Sequence, residues 1–161
     1  MKKYKEILKE YDDALRLLDQ YDHQSLTMIE KNKSINSLNY EEAKEFINHM
    51  QFNKDSGVFG LEKEEGKLAG ILLSIEQSAF GCQAYSSVEE KAANLLYFLV
   101  KDHPFADGCK RIAAGLFLLY LKNNDCLKNL SCATIVALTI LVAESNPKEK
   151  DVIIKLITNL I

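Results

Sequence analysis

The chain has 161 residues, 47% of them hydrophobic, and its 20 basic and 23 acidic residues give a formal net charge of −3. This length suits one globular domain that buries roughly 70% of the surface of its unfolded chain. The slight negative charge, without a basic stripe, argues against a nucleic-acid partner. The longest apolar run, near residues 135–143, is too short to span a bilayer. These features predict a cytoplasmic protein with no nucleic-acid or membrane partner.

The first 22 residues form a unit of their own, an amphipathic helix predicted over residues 3–21. Apolar residues recur there at alternating spacings of four and three, a pattern typical of helical interfaces. They are Tyr4, Leu8, Tyr11, Leu15 and Leu18, with Ile7, Ala14 and Tyr21 beside them. A sustained coiled coil needs three to four heptads, whereas this segment has little more than two. Packing on the parent domain is therefore favoured over the alternative, a homodimer.

Residues 23–161 form the second unit, in which helical periods again dominate. A helix is expected after Asn39, which precedes apolar residues at i, i+3, i+4 and i+7. Further helices are expected over residues 61–78, 88–100, from Gly108 onward, over 131–144 and from Pro147, with a loop at 55–57. Ser87 and Glu90 form the capping-box signature of a helix start. The pattern predicts an all-α bundle with a minor hairpin.

One stretch, HPFADGCKR over residues 103–111, combines a titratable base, a carboxylate, a glycine and two cations. The helix expected after Gly108 has free amides and a positive dipole at its start, and with the two cations these suit phosphates. Asp107 can give a magnesium ion one oxygen. His103 can take the proton of an attacking hydroxyl, since histidine has an ordinary pKa of about 6.5. The stretch therefore predicts a nucleotide site.

These residues resemble the active-site motif of the Fic/Doc (Fido) family, written HPFx[DE]GN[GK]R. Residues 79–85 and 89–95 extend the resemblance to the death-on-curing branch of that family, and roughly residues 60–124 take part in it. The resemblance implies a Fido-type helical bundle that uses ATP with Mg²⁺ to modify a Ser, Thr or Tyr hydroxyl of a target protein.

The resemblance also implies a role for each motif residue. His103 would be the catalytic base, and Asp107 would be the magnesium ligand. The phosphates would be bound by Gly108, Cys109, Lys110 and Arg111. A β-hairpin flap next to the active site would dock the target through Phe80, Gly81, Cys82, Gln83, Ala84 and Tyr85.

Two positions depart from the family pattern. Cys109 replaces an asparagine, either as a small residue tolerated in a weakened site, which is favoured, or as a reactive thiol at a helix start. Ala114 stands where AMP-transferring members have a second arginine, and Lys110 with Ala114 resembles members that transfer phosphate. The expected activity is AMP transfer to a protein hydroxyl, narrowly ahead of phosphate transfer. The same residues are also compatible with a silent nucleotide-binding domain and with a peptide-docking module.

Regulation and redox state give two further expectations. Family members are often silenced by a helix reading [ST]xxxE[GN]; residues 145–149 match it only in part, so a partner antitoxin is the expected inhibitor. The four cysteines show no C-x-x-C spacing, which favours reduced thiols over disulfides or structural zinc. They are Cys82, Cys109, Cys126 and Cys132.

Overall fold

The structure, a computed structural model, describes residues 1–50, 52 and 57–161. Its α-helices are α1 (Lys2–Glu10), α2 (Asp12–Asp22), α3 (Tyr40–His49), α4 (Lys67–Ile75), α5 (Val88–Lys101), α6 (Cys109–Asn123), α7 (Cys132–Glu144) and α8 (Lys150–Leu160). An antiparallel hairpin of β1 (Ser78–Ala79) and β2 (Cys82–Gln83) lies between α4 and α5. The predicted all-α class with a minor hairpin is confirmed. In the loop expected at 55–57, positions 55 and 56 lie outside the described residues.

Helix α5 is the centre of the bundle. Eleven of its 14 residues are buried, and a helix covered on all sides is a core element. Helices α4, α6, α7 and α8 pack around it. Because α5 ends at Lys101 and α6 begins at Cys109, these two central helices hold both ends of the motif loop.

Side-chain caps explain where three of the helices begin. The capping oxygens belong to Asn39, Ser87 and Ser131, and each accepts from the amide three residues on, at 2.8, 3.1 and 3.1 Å. A cap of this kind contributes about 1 kcal/mol. The capping box is displaced by one residue, since Glu90 accepts from the amide of Ser86 at 3.2 Å. The helix starts predicted at these three positions are confirmed.

Buried charges fix the N-terminal half of α5. Lys91 is 1% exposed and donates to a carboxylate oxygen of Glu76 at 2.6 Å. Glu89 accepts from the amides of Lys31 and Asn32, both at 3.2 Å. These charge-assisted bonds tie the end of α4 and the segment before α3 to α5. Helix α5 is thereby held firmly at the end remote from the motif loop.

The first helical segment is not the single helix that the sequence predicts. The single helix expected over residues 3–21 is divided at Tyr11, whose φ of −109° and ψ of 18° leave the α region. The acidic pair Asp12 and Asp13 begins α2, where negative charge suits the helix dipole. No residue of α1 or α2 is buried, although Leu18 and Tyr21 line an apolar cavity together with residues of α7 and α8. Packing of this segment on the parent domain stays a prediction.

The start predicted for the helix over residues 61–78 is wrong. Helix α4 begins at Lys67, and Gly66 before it has a φ of +84°, a left-handed value that suits glycine. The carboxylate of Glu62 accepts from the amide of Leu68 at 2.8 Å and caps α4 from outside. Leu61 and Lys63 hydrogen-bond to the motif loop instead of joining the helix, a long-range contact that local periodicity does not reveal.

Three smaller features complete the fold. Pro147 opens a 3-10 helix, Pro147–Glu149, that leads into α8, so the predicted start is confirmed. The four cysteines are free thiols, with Cys82 and Cys132 exposed and Cys109 buried. Among the described residues, no helix combines the length and the apolar character needed to cross a membrane.

Candidate active site

The motif loop is hydrogen-bonded along its length to one segment, residues 59–63, which we call the strap. Three backbone bonds join them: Gly60 N to Asp107 O (3.1 Å), Ala106 N to Leu61 O (2.8 Å) and Lys63 N to Pro104 O (2.9 Å). The two segments thus satisfy each other's polar backbone groups as paired strands do. Phe105, 1% exposed, anchors the loop in the core. The path of the loop is therefore fixed from two sides.

Gly108 lets the loop turn tightly into α6. Its φ is +92°, and a Cβ at this position would lie 2.3 Å from Cε2 of Phe59. Glycine is needed both for the left-handed backbone and for the close approach of the ring. The aromatic side chain from the strap thus fills the space against the start of α6.

The start of α6 presents unpaired amides. The first intrahelical bond runs from the amide of Ile112 to the carbonyl of Gly108 at 2.8 Å, and no side chain caps the helix. Within the described part of the chain, the amides of residues 109–111 have no acceptor. Lys110 is exposed beside them. Free donors, the positive end of the helix dipole and a cation together suit an anion such as phosphate.

Arg111 is held by a carboxylate and two aromatic rings. Its Nη2 donates to Oδ1 of Asp107 at 3.0 Å, and its guanidinium lies 4.6 Å from the ring centroid of Phe52 and 5.0 Å from that of Phe59. Stacking leaves the in-plane N–H groups available to other acceptors. The side chains of Arg111 and Asp107 are 41% and 34% exposed, so their ion pair contributes little to folding and opens at little cost.

His103 stands exposed at the surface of the motif loop. Its ring is exposed, and none of the described residues hydrogen-bonds to it. Its φ of +47° is unusual for a residue before proline. Such a conformation costs on the order of 1–3 kcal/mol and persists only where the surroundings impose it. Here Asp102 ends α5 on one side and Pro104 is bonded to the strap on the other. The backbone of His103 is therefore fixed, while its ring is exposed to an incoming group.

Cys109 points into the protein. It is 6% exposed, and its Sγ donates to the carbonyl oxygen of Phe105 at 3.3 Å. The thiol therefore supports the shape of the loop, and residue 109 offers an anion only its backbone amide. Burial also keeps electrophiles away from the sulfur, which favours the tolerated residue over the reactive thiol.

The motif lines a depression of about 560 Å³. Its walls are formed by Lys63, His103 and residues 105–111. The structure thus brings the expected base, carboxylate and phosphate-binding residues to one place. Sequence reasoning missed Lys63, because it fell inside a predicted helix and its charge was the only signal it carried.

The hairpin lies at the other end of α5. None of residues 80–85 lines the depression, and the 14 residues of α5 extend over about 21 Å between hairpin and motif. Phe80 and Gly81, with φ of +54° and +78°, form its two-residue turn, and the ring of Phe80 is fully exposed. Tyr85 is half-buried, and burial raises its pKa. The segment beside His103 is the strap, and target docking by the hairpin stays a prediction.

The segment that partly matches the inhibitory motif does not reach the depression. Ser145 ends α7, and residues 147–149 form a 3-10 turn instead of an α-helix. Glu149 is exposed and lines cavities beside α2 and α8. The ammonium group of Lys101 donates to the carbonyl of Ser145 and fixes this segment to α5. Inhibition by a partner protein stays a prediction.

The donor set fits magnesium that arrives with a nucleotide. In the described part of the chain, no three His, Cys, Asp or Glu side chains cluster in a way that could hold a metal ion. Magnesium typically takes one or two carboxylates together with phosphate oxygens and water. Asp107 is such a carboxylate beside an anion site, and only its Oδ1 is engaged, by Arg111.

The part of the chain that builds the depression also matches a known family. The model of the Fic/DOC family matches residues 37–121, more than half of the chain. No curated protein and no solved structure matches it. Because the family match contains the strap, the motif loop and most of both central helices, the chain belongs to the Fic/DOC family.

Proposed function

We propose that this chain transfers AMP from ATP, bound with magnesium, to a hydroxyl group of a target protein. Membership of the Fic/DOC family supports the coarser statement, transfer of a nucleotide or phosphate group to proteins. The observation that carries the proposal is one shared depression, in which the exposed imidazole of His103 stands beside the open amides of α6.

His103 acts as the general base. It takes the proton of the target hydroxyl, whose oxygen forms a bond to the α-phosphorus of ATP. The bond from that phosphorus to the bridging oxygen breaks, and pyrophosphate leaves with the electron pair. The imidazolium then returns its proton to solvent. A positioned base of this kind contributes roughly 10²–10⁴-fold to the rate.

The start of α6 holds the phosphates. The amides of residues 109–111 and the helix dipole stabilise negative charge where it develops. Asp107 would hold magnesium, which neutralises phosphate charge when it is bound. Arg111 then exchanges its carboxylate partner for a phosphate oxygen, and the exposed ion pair makes that exchange easy. The rings of Phe52 and Phe59 keep the guanidinium in place meanwhile.

Lys63 supplies a further cation to the depression. It lines the same depression as Lys110, and its ammonium is a mobile point charge suited to phosphate oxygens. Its positive charge compensates in part for the arginine that is absent at Ala114, one turn into α6.

Calorimetry with ATP and magnesium tests the role of Lys63. The Lys63→Ala variant should bind ATP several-fold more weakly than wild type. The Lys128→Ala variant, changed at an exposed position outside the depression, should bind ATP as wild type does. Equal affinities would remove Lys63 from the site.

Labelled ATP distinguishes the reactions. The protein is incubated with cell extract and either α-labelled or γ-labelled ATP, with His103→Asn protein as the matched control. We expect the α-label on a target protein with wild type and none with the variant. Absence of both labels, over a range of extracts, would reduce the protein to a nucleotide-binding domain.

Phosphate transfer is the second candidate, because α6 carries Lys110 in its first turn and no arginine at position 114. His103 would keep its role while the γ-phosphorus is attacked, and γ-label without α-label would establish this reaction. A silent domain is less favoured, because the buried thiol of Cys109 leaves every backbone donor of the phosphate site in place.

A further inference from the structure

The apolar face of the first two helices is uncovered. Tyr4, Leu8, Tyr11, Leu15 and Leu18 form one line, which we call the seam, and each is between 45% and 61% exposed. Single exposed apolar residues are ordinary on protein surfaces. Five in a row at helical spacing form a contiguous patch, and such patches mark interaction sites.

Tyr11 joins the two halves of the seam. Its amide donates to the carbonyl of Ile7 in α1 at 3.1 Å, and its carbonyl accepts from the amide of Leu15 in α2 at 3.0 Å. The helical bonding of α1 therefore ends, and that of α2 begins, at this one residue. Each helix is roughly 15 Å long, so α1 and α2 of a second copy match them in length.

The two halves of the segment carry opposite charge. Helix α1 has four lysines and two glutamates, whereas α2 has one arginine and four aspartates. This leaves α1 at +2 and α2 at −3. A copy that runs in the opposite direction places each basic half along an acidic half. A parallel copy would place like charges together, which destabilises helix pairing.

An apolar groove continues the seam at its α2 end. Leu18 and Tyr21 of α2 face Leu141, Ile153 and Leu160 of α7 and α8 across a cavity of about 610 Å³. In an antiparallel pair, the α1 of the other copy lies beside α2 and therefore beside this groove. A segment of little more than two heptads is too short for a sustained coiled coil. The groove adds to the apolar area that the second copy can cover.

We propose that α1 and α2 pair with the same helices of a second copy of this chain, in antiparallel orientation. Seam covers seam, and each α1 reaches the groove of the other copy. Lys5 and Asp19 each follow a seam residue directly and lie on the same flank, two heptads apart. Antiparallel pairing sets the Lys5 of one copy near the Asp19 of the other, twice per dimer. The proposal does not depend on the transfer reaction.

Substitutions on the seam test the surface. Sedimentation of wild type over a concentration series should give a mass of twice 18.2 kDa. Leu8→Glu combined with Leu15→Glu should raise the dissociation constant roughly 100-fold or more, because charge would be buried in an apolar contact. The bundle should keep its melting temperature, since neither residue is buried. Leu73→Glu, on the exposed face of α4, is the matched control and should leave the dimer intact.

Charge reversal tests the orientation. Lys5→Glu alone and Asp19→Lys alone should each weaken the dimer about tenfold, because two attractive pairs become repulsive. The double variant, which restores opposite charges in an antiparallel pair, should recover most of the wild-type affinity. Lys128→Glu has the same change of charge at an exposed position outside α1 and α2 and should have no effect.

Three outcomes would overturn the proposal. A monomer at every concentration would do so. If that monomer sediments with anionic lipid vesicles, and the variant with Leu8→Glu and Leu15→Glu does not, the seam would be assigned to a membrane surface. A dimer that resists the seam substitutions would lie on another face. A double charge variant no tighter than the single ones would exclude the antiparallel arrangement.

Discussion

Two turns stand at the two ends of α5, and they are held in opposite ways. The hairpin before α5 turns at Phe80, with a left-handed φ of +54°, and residues 77–84 are all exposed. The motif loop after α5 also contains a left-handed residue, His103 at +47°, but Phe105 is buried and the loop backbone is bonded to the strap. The hairpin turn is formed by its own residues. The conformation of the motif loop is imposed by the strap, a segment some forty residues earlier.

This difference suits the hairpin to contacting a partner protein and the motif loop to holding a catalytic group. A catalytic base needs a position fixed to a fraction of an ångström, and a strained conformation such as that of His103 persists only where other contacts dictate it. An exposed two-residue turn needs no partner and can adjust its side chains to one. We therefore expect the motif loop to respond to substitution through catalysis and folding, and the hairpin only through binding of a target.

The largest effect is expected at His103, where conformation and chemistry can be separated. His103→Asn keeps a residue type that tolerates positive φ and removes the base. We expect label transfer to fall by roughly 10²–10⁴-fold, while the free energy of unfolding changes by less than about 1 kcal/mol. Transfer assays and urea melts of both proteins measure the two quantities. Retained activity in the variant would assign proton transfer to another group.

A pair of glycines compares the packing of the two turns directly. Gly108→Ala combines a φ of +92° with a Cβ 2.3 Å from Phe59, so we expect a loss of about 3 kcal/mol or more in stability. Gly81→Ala has a φ of +78° but open space around its Cβ, and should cost about 1 kcal/mol. Thermal melts compare the two variants. Equal losses would show that backbone conformation alone governs both positions.

Thiol labelling compares local opening in the same two turns. Cys82 in β2 is exposed, whereas Cys109 is 6% exposed and bonded to the carbonyl of Phe105. We expect Cys109 to react with iodoacetamide at least about tenfold more slowly, because its reaction requires the start of α6 to open. Mass spectrometry of a time course gives both rates. Similar rates would mean that the motif loop opens freely and that Cys109 behaves as the reactive thiol.

The starts of α3, α5 and α7 and the turn into α6 could be predicted because their determinants are local. Ser87 and Ser131 bond to amides three residues away, and Gly108 precedes the apolar period of α6. The strap could not be predicted, because its path depends on bonds to a loop some forty residues later. The apolar periodicity predicted that residues 61–66 belong to a helix, so Lys63 was assigned to that helix and not to the site. The exposure of the seam was equally invisible, since an apolar stripe looks the same whether its cover lies in the chain or outside it.

The smallest effect is expected at Phe80, and it decides what the hairpin does. Its ring is fully exposed, so Phe80→Ala should leave the melting temperature unchanged. If the hairpin docks the target protein, loss of a large exposed ring should raise the KM for that protein by roughly three- to tenfold at unchanged kcat, which corresponds to about 1 kcal/mol of binding free energy. The affinity for ATP should not change, because α5 separates the hairpin from the depression. Leu73→Ala, also exposed and outside the hairpin, is the control. An unchanged KM would leave the strap as the segment that meets the target, since it lies beside His103.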